Sequence, residues 1–208
     1  MKLYTFDIAP NARRLQLFMQ YKGISLDTQQ IDLGKLEQHS DEYAAINPLR
    51  TIPALQLDDG TLLTEVIAQV SYLESLYPEK PLMGTTAQEQ ALVLNWDHLL
   101  LISGFAAVAN MFRNTVKGFK DRAGTGSLPL AQIPELAARG KLQLDDFWPR
   151  VDARLGESSW LAGDTISFAD IDLFCLCEFA GWVKESVPED LANLQAWLAR
   201  ASAELSQA

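Results

Sequence analysis

The first part of the chain alternates between two periodicities. Residues 2–6 alternate polar and apolar side chains in the manner of a short strand. Pro10 then suits a first helical position, Leu15, Phe18 and Met19 form an apolar face at helical spacing, and Gly23 supplies a stop. A second strand is predicted over 28–33. Ser40 can cap a short helix that ends before Asn47-Pro48. Residues 54–57 and 61–64, joined by Asp58-Asp59-Gly60, read as a β-hairpin. From Glu65 a helix is predicted to about Leu76, with Val66, Val70, Leu73 and Tyr77 on one stripe, and Pro78 ends it. The order is β-α-β-α-β-β-α.

Residues 78–86 hold two prolines and a glycine without periodicity, the composition of a linker. Beyond them the pattern is helical throughout, over about 87–119, 134–155, 168–183 and 189–202. The helix after Phe168 is apolar on nearly every side (Ile171, Leu173, Phe174, Leu176, Phe179), as a central buried helix requires. The predicted architecture is an α/β domain of the thioredoxin-like kind over 1–77, the linker 78–86, and an all-α helical bundle over 87–208.

Composition narrows the chemistry. Of 208 residues, 48% are hydrophobic and 21% charged, the balance of a folded globule. A formal net charge of −10 leaves no basic stripe for nucleic acid. The most apolar run, 99–112, is interrupted by Ser103, Gly104 and Asn110 and is shorter than a bilayer span, so no membrane insertion is expected. No secretory signal pattern opens the sequence, which points to a cytoplasmic protein. Cys175 and Cys177 are two apart in an apolar run, the wrong spacing for a redox pair, and read as core thiols. His39 and His98 stand alone, so no metal site is expected. No Gly-x-Ser-x-Gly elbow and no complete dinucleotide glycine loop is present.

Three local features remain. Ile52-Pro53 stands just before the hairpin, where an X-Pro bond can be cis and turn the preceding N–H and C=O outward to meet an extended peptide. Glu65 stands at a helix N-terminus straight after a strand; it either stabilises the helix dipole or, with the unpaired N–H groups there, meets a zwitterionic ligand. Ser167-Phe168-Ala169-Asp170 has the form of a capping box and is structural.

In this order, these stretches resemble the glutathione S-transferase family over essentially the whole chain. Ala9-Pro-Asn-Ala-Arg-Arg-Leu15 is similar to the family's first helix start, and Asn47-Pro48-Leu-Arg-Thr-Ile-Pro53 to its cis-proline motif. Leu63-Thr-Glu-Val-Ile-Ala68 with Tyr72-Leu73 resembles the γ-glutamyl-binding helix. Trp160-Leu-Ala-Gly-Asp164 followed by Ser167-Phe-Ala-Asp-Ile171 resembles the folding motif of the second domain. The resemblance implies glutathione as co-substrate and an all-helical domain that contributes the pocket for an electrophile. It places the Ile52 backbone, before Pro53, on the cysteinyl part of glutathione, and Glu65 with the Val66 N–H on the γ-glutamyl end. Gln38 falls near the glycyl carboxylate, where Arg50 can assist or remain a solvated charge. Ile8, Met111, Phe112 and Arg113 are the pocket-wall candidates, Trp96 and Asp97 fall nearer a dimer interface, and a C2 homodimer is implied.

Two departures bear on activity. Val66 stands where relatives place a Ser or Thr hydroxyl, so binding should be weaker by one hydrogen bond. Ala9 stands where many relatives hold a catalytic Ser or Cys, and it donates nothing to a thiolate. Asn11 is the nearest side-chain donor and is the catalytic candidate, with a local capping role as the alternative; Tyr4 and Thr5 are weaker, since strand alternation sends one of them into the core. With neither cysteine of a Cys-x-x-Cys in the slot 9–12, disulfide exchange is excluded. The leading expectation is a glutathione transferase acting on small hydrophobic electrophiles. The alternatives are a non-catalytic binding module of the same fold, and a glutathione-dependent peroxidase or isomerase.

Overall fold

Strand β1 (Lys2–Thr5) lies inside a four-stranded sheet of order β2-β1-β3-β4. It runs parallel to β2 (Asp27–Gln30) and antiparallel to β3 (Ala54–Gln56), which pairs antiparallel with β4 (Leu62–Leu63). In this computed structural model, which describes residues 1–206, the sheet belongs to a first unit, Met1–Lys80 with Gly124–Leu130. The second unit comprises Pro81–Ala123 and the residues from 131 onward, and among the described residues it is helical apart from one isolated bridge. The fold is a thioredoxin-like mixed sheet with its helices, followed by an all-helical unit.

The helices of the first unit begin and end where local chemistry directs. Helix α1 (Pro10–Lys22) starts with proline at its first position and stops at Gly23, whose φ of 70° is left-handed and open to glycine without strain. At its C-terminal end the Lys22 side chain is fully buried; its ammonium reaches Glu74 at 2.8 Å and the carbonyls of Glu79 and Lys80 at 2.8 and 3.1 Å. A buried cation is tolerable only when so surrounded, and these contacts tie α1 to the end of α3 (Val66–Leu76). Ser40 caps α2 (Asp41–Ile46), its hydroxyl accepting from the Tyr43 N–H at 3.1 Å. Helix α3 covers Val66–Leu76. Leu15, Phe18, Leu55, Val70 and Leu73 form the centre of this unit, each at most 1% exposed.

Strand β2 ends earlier than the side-chain pattern predicts. Glu37 accepts from the Asp32 N–H at 2.8 Å, and the Asp32 carboxylate accepts from Gly34 and Lys35, turning the chain just beyond Ile31. All four residues of β2 are exposed, as befits an edge strand.

In the second unit one helix runs unbroken over Ala87–Thr115: α4 (Ala87–Leu99), a π-helical segment Leu100–Phe105, and α5 (Ala106–Thr115). The expectation that this apolar stretch is too short for a bilayer is corrected, because Ser103, Gly104 and Asn110 do not interrupt it; the helix has 29 residues and a mean hydropathy of 1.5 in its most apolar window. Its buried side chains, Leu100, Phe105, Ala107 and Val108 among them, pack within the unit against α6 (Pro134–Glu157) and α7 (Phe168–Gly181). At Gly104 the approach is close: a Cβ there would lie 2.3 Å from the Leu176 side chain of α7. Helix α7 is the centre of the unit as predicted, with Phe168, Ile171, Leu173 and Leu176 fully buried. Cys175 is buried beside them, and burial pushes the Cys177 thiol up to about 12, with the Glu178 charge adding to it, so Cys177 keeps its proton.

Helix α8 (Ala192–Leu205) starts three residues later than its apolar pattern suggests. Its cap comes from α6: the Asp152 carboxylate accepts from the Leu194 N–H at 2.9 Å and from the Asn193 amide at 3.1 Å.

Candidate active site

The loop before β3 is built by two buried side chains. Asn47, wholly buried, donates to the Thr51 carbonyl at 2.8 Å and hydroxyl at 3.2 Å, and accepts from the Leu49 N–H at 3.1 Å. The Tyr43 hydroxyl donates to the same Thr51 carbonyl at 2.6 Å; burial pushes that phenol up to about 12, so it remains a donor. The next peptide bond, Ile52-Pro53, is cis. The Ile52 side chain packs on the cluster of Tyr4, Ile31, Tyr43 and Ala54. Its N–H and C=O form no backbone hydrogen bond among the described residues.

Strand β4 leads directly into α3, for which Glu65 is the N-cap residue. The Glu65 carbonyl accepts from the Ala68 and Gln69 N–H groups, both at 3.1 Å, but its side chain caps nothing and is exposed. An exposed carboxylate therefore stands beside first-turn N–H groups that have no intrahelical acceptor, a pairing of negative and positive ends. Val66 turns its side chain into the core at 4% exposure, so only its N–H is available on this side of the helix.

Gln38 lies in a 3₁₀ turn, Glu37–His39, and its Oε1 is buried with no hydrogen-bond partner among the described residues. Arg50, at a left-handed φ of 56°, is not a solvated charge. Its guanidinium donates to the carbonyls of His39 and Ser40 and lies 3.9 Å from the Asp41 carboxylate, so it fastens the turn that carries Gln38.

Asn11 occupies the second position of α1, after an Ala9 N-cap that makes no side-chain bond. The Asn11 side chain is exposed, and its Oδ1 accepts from Arg14 Nη1 at 3.3 Å. With the carbonyl end engaged by a donor, the amide NH2 is the end left to donate. Tyr4 and Thr5 are both buried, at 5% and 3% exposure, so the alternation expected of β1 fails and neither faces solvent. Ile8 is 65% exposed in the first unit. In the second unit Met111 is 8% exposed and lies against Gly140 of α6, Phe112 stacks edge-on with Phe119, Phe179 and Trp182, and the Arg113 guanidinium lies 5.1 Å from the Phe119 ring centre. Burial, then the charge of Arg122, lowers the Arg113 pKa from its usual value.

Sequence reasoning passed over Arg14 and Gln69, which are 4% and 0% exposed. A signal was present at Gln69: it occupies the i+3 place of the stripe formed by Val66, Val70 and Leu73, where an apolar residue is expected.

A cis-proline loop, a helix start with an uncommitted carboxylate and an all-helical second unit are the features of a thioredoxin-like domain followed by a helical one. Comparisons with known proteins agree. The family model described as glutathione S-transferase, N-terminal domain, matches residues 3–81, and that described as glutathione S-transferase, C-terminal domain, matches 128–204. The chain is 29% identical over 202 residues to Glutathione S-transferase 2 of Saccharomyces cerevisiae, covering 96% of this chain and 84% of that one. It is 28% identical over 187 residues to a maleylacetoacetate isomerase of Pseudomonas aeruginosa, covering 73% of this chain and 87% of that one. Among solved structures, a glutathione S-transferase domain-containing protein of Marinobacter aquaeolei superposes with a TM-score of 0.89 at 27% identity, covering 98% of both chains. The chain belongs to the glutathione S-transferase family.

Proposed function

We propose that this chain is a glutathione transferase that conjugates the glutathione thiolate to small hydrophobic electrophiles. The observation that carries the reading is the Glu65 carboxylate, exposed and unspent at the start of α3 in a unit whose other peptide-facing segment is the cis-proline loop. Glu65 and the Val66 N–H hold the γ-glutamyl end, the backbone of Ile52 before Pro53 pairs with the cysteinyl part, and Gln38, steadied by Arg50, meets the glycyl carboxylate. A carboxylate only accepts, so Gln38 would meet it through its Nε2 hydrogens and not through its buried Oε1. Within the helical unit, Phe112 and Arg113 contact the electrophile, with Met111 behind them. Leu94, Leu101 and Ile102, between 41% and 55% exposed on one long helix, support a C2 homodimer. The setting is cytoplasmic, and no metal is required.

The chemistry asks for thiolate stabilisation. A free thiol has a pKa of about 8.5, so only a few per cent is ionised at neutral pH. The Asn11 amide and the N-terminus of α1 lower it by donating to the sulfur, without adding another acid–base group. The thiol proton passes to solvent, the thiolate sulfur bonds the electrophilic carbon and the leaving group departs with its bonding electrons, as chloride does from 1-chloro-2,4-dinitrobenzene, while proximity supplies the rest of the acceleration. Replacing Asn11 with alanine should raise the pKa of the bound thiol by about one to two units, the equivalent of one hydrogen bond to a charged group. The pH–rate profile with 1-chloro-2,4-dinitrobenzene reads this; an unmoved profile assigns activation to the helix N–H groups alone.

Calorimetric titration with glutathione at neutral pH tests the whole reading. Saturable binding at or below the millimolar range is expected. No heat and no shift in melting temperature would overturn it in favour of a non-catalytic binding module, the reading that Ala9 and Val66 favour. A second catalytic reading, glutathione-dependent isomerisation, is supported by the likeness to a protein named maleylacetoacetate isomerase, which spans 73% of this chain.

A further inference from the structure

Gln69 is an unusual choice for the buried face of a helix. The residue is 0% exposed, and its Nε2 donates to the Pro53 carbonyl at 3.0 Å and to the Leu63 carbonyl at 2.8 Å. Both amide hydrogens are thereby spent on backbone. The Oε1 of the same side chain is buried with no hydrogen-bond partner among the described residues. A methionine or leucine would fill a similar volume and remove the orphaned oxygen, but it would leave the Pro53 and Leu63 carbonyls without this donor, so packing alone does not explain a glutamine here. What the amide provides is a fixed link between two backbone segments.

Those segments are the two halves of the candidate glutathione site. Pro53 follows Ile52, and Leu63 lies two residues before Glu65. The antiparallel ladder between them consists of Gln56↔Leu62 and Leu55↔Leu63, and stops there. Continued in the same register, it would set Pro53 opposite Glu65. Proline has no N–H to donate to that rung, its carbonyl accepts from the Gln69 amide instead, and the chain leaves the strand for α3 at Val66, so the ladder does not hold the two ends together. The Gln69 amide supplies the missing rung from the side, one residue after the first turn of α3.

We propose that Gln69 is a positioning residue that fixes the spacing between the Ile52 backbone and the Glu65 helix start, so that one glutathione molecule engages both at once. The proposal rests on the glutathione-binding reading above. A ligand held at two points gains from the second contact only while the two points keep the distance the ligand spans. Without the rung each contact survives but the two no longer reinforce each other.

The test is a double-mutant cycle on glutathione Kd, using Gln69→Met and Glu65→Gln singly and together, with melting temperatures alongside. Gln69→Met is expected to weaken binding by roughly tenfold, and the melting temperatures read separately what the loss of a donor to two carbonyls costs the fold. The penalty of Glu65→Gln is expected to shrink several-fold in the Gln69→Met background, which only coupling through geometry produces. An unchanged Kd in Gln69→Met overturns the proposal. So does a weakened Kd with an undiminished Glu65→Gln penalty, which makes Gln69 a stability element without a positioning role. Gln69→Leu provides a second apolar variant; failure of both to fold has the same meaning. Absence of glutathione binding by the parent protein is a separate outcome, which removes the underlying reading and the positioning role with it.

Discussion

Replacing Glu65 with glutamine is expected to raise the glutathione Kd by about 10- to 100-fold. The substitution keeps the side chain's shape and removes its charge, so the loss is that of a charge-assisted hydrogen bond to an ammonium group, about 1.5–3 kcal/mol. Stability should barely change. The carboxylate caps no backbone N–H in the folded protein, so its structural contribution is limited to the helix dipole, roughly 0.3–1 kcal/mol at an exposed site. Binding and stability therefore separate cleanly in this variant. Titration calorimetry and urea unfolding on the same preparation read both, and a Kd within twofold of the parent would remove Glu65 from the site.

Asp170 predicts the opposite separation. Replacing it with alanine is expected to cost about 4–5 kcal/mol or more, close to the whole stability of an ordinary domain. Its carboxylate is wholly buried and accepts four hydrogen bonds. Oδ1 takes the Leu161 N–H at 2.9 Å and the Trp197 indole at 3.0 Å; Oδ2 takes the Ser167 N–H at 3.0 Å and hydroxyl at 2.8 Å. Burial raises the pKa of this carboxyl, and the four donors pull against that rise. One side chain thus joins the loop after α6, the start of α7 and the face of α8, and alanine would strand every one of those donors. Urea unfolding followed by tryptophan fluorescence measures the loss. Glutathione affinity should be unchanged under conditions where the variant remains folded, and a loss under about 1 kcal/mol would refute the account.

What the sequence revealed, and what it hid, divides by the reach of each interaction. Pro10 and Gly23 bound α1, Ser40 caps α2, and the Asp58-Asp59-Gly60 turn closes the hairpin, because each works through atoms a few residues away. Glu65 was legible for the same reason, standing where a strand pattern gives way to a helical one. The early end of β2 was not, since it depends on Glu37 reaching back to Asp32, nor was the late start of α8, set by a carboxylate about forty residues upstream. The long helix was legible as one helical pattern from 87 onward, but the role of Gly104 within it was not, since that glycine admits Leu176 of α7 at a π-helical turn. Arg50 could be a ligand or a solvated charge by sequence; only tertiary geometry turns it onto the His39 and Ser40 carbonyls. Gln69 was hidden in plain view, a polar side chain in an apolar stripe whose partners lie on other elements.

The Asp152 cap makes the start of α8 depend on α6. A helix nucleus is costly, and a segment with no side-chain cap of its own lacks the local help that lets a first turn persist in water. Here the missing acceptor arrives on the body of α6, so the first turn of α8 becomes favourable once α6 exists and has presented that carboxylate. The start of α8 is thus held by α6 and not by its own sequence, and loosening α6 frees the end of the helix that buries Leu194 and Trp197.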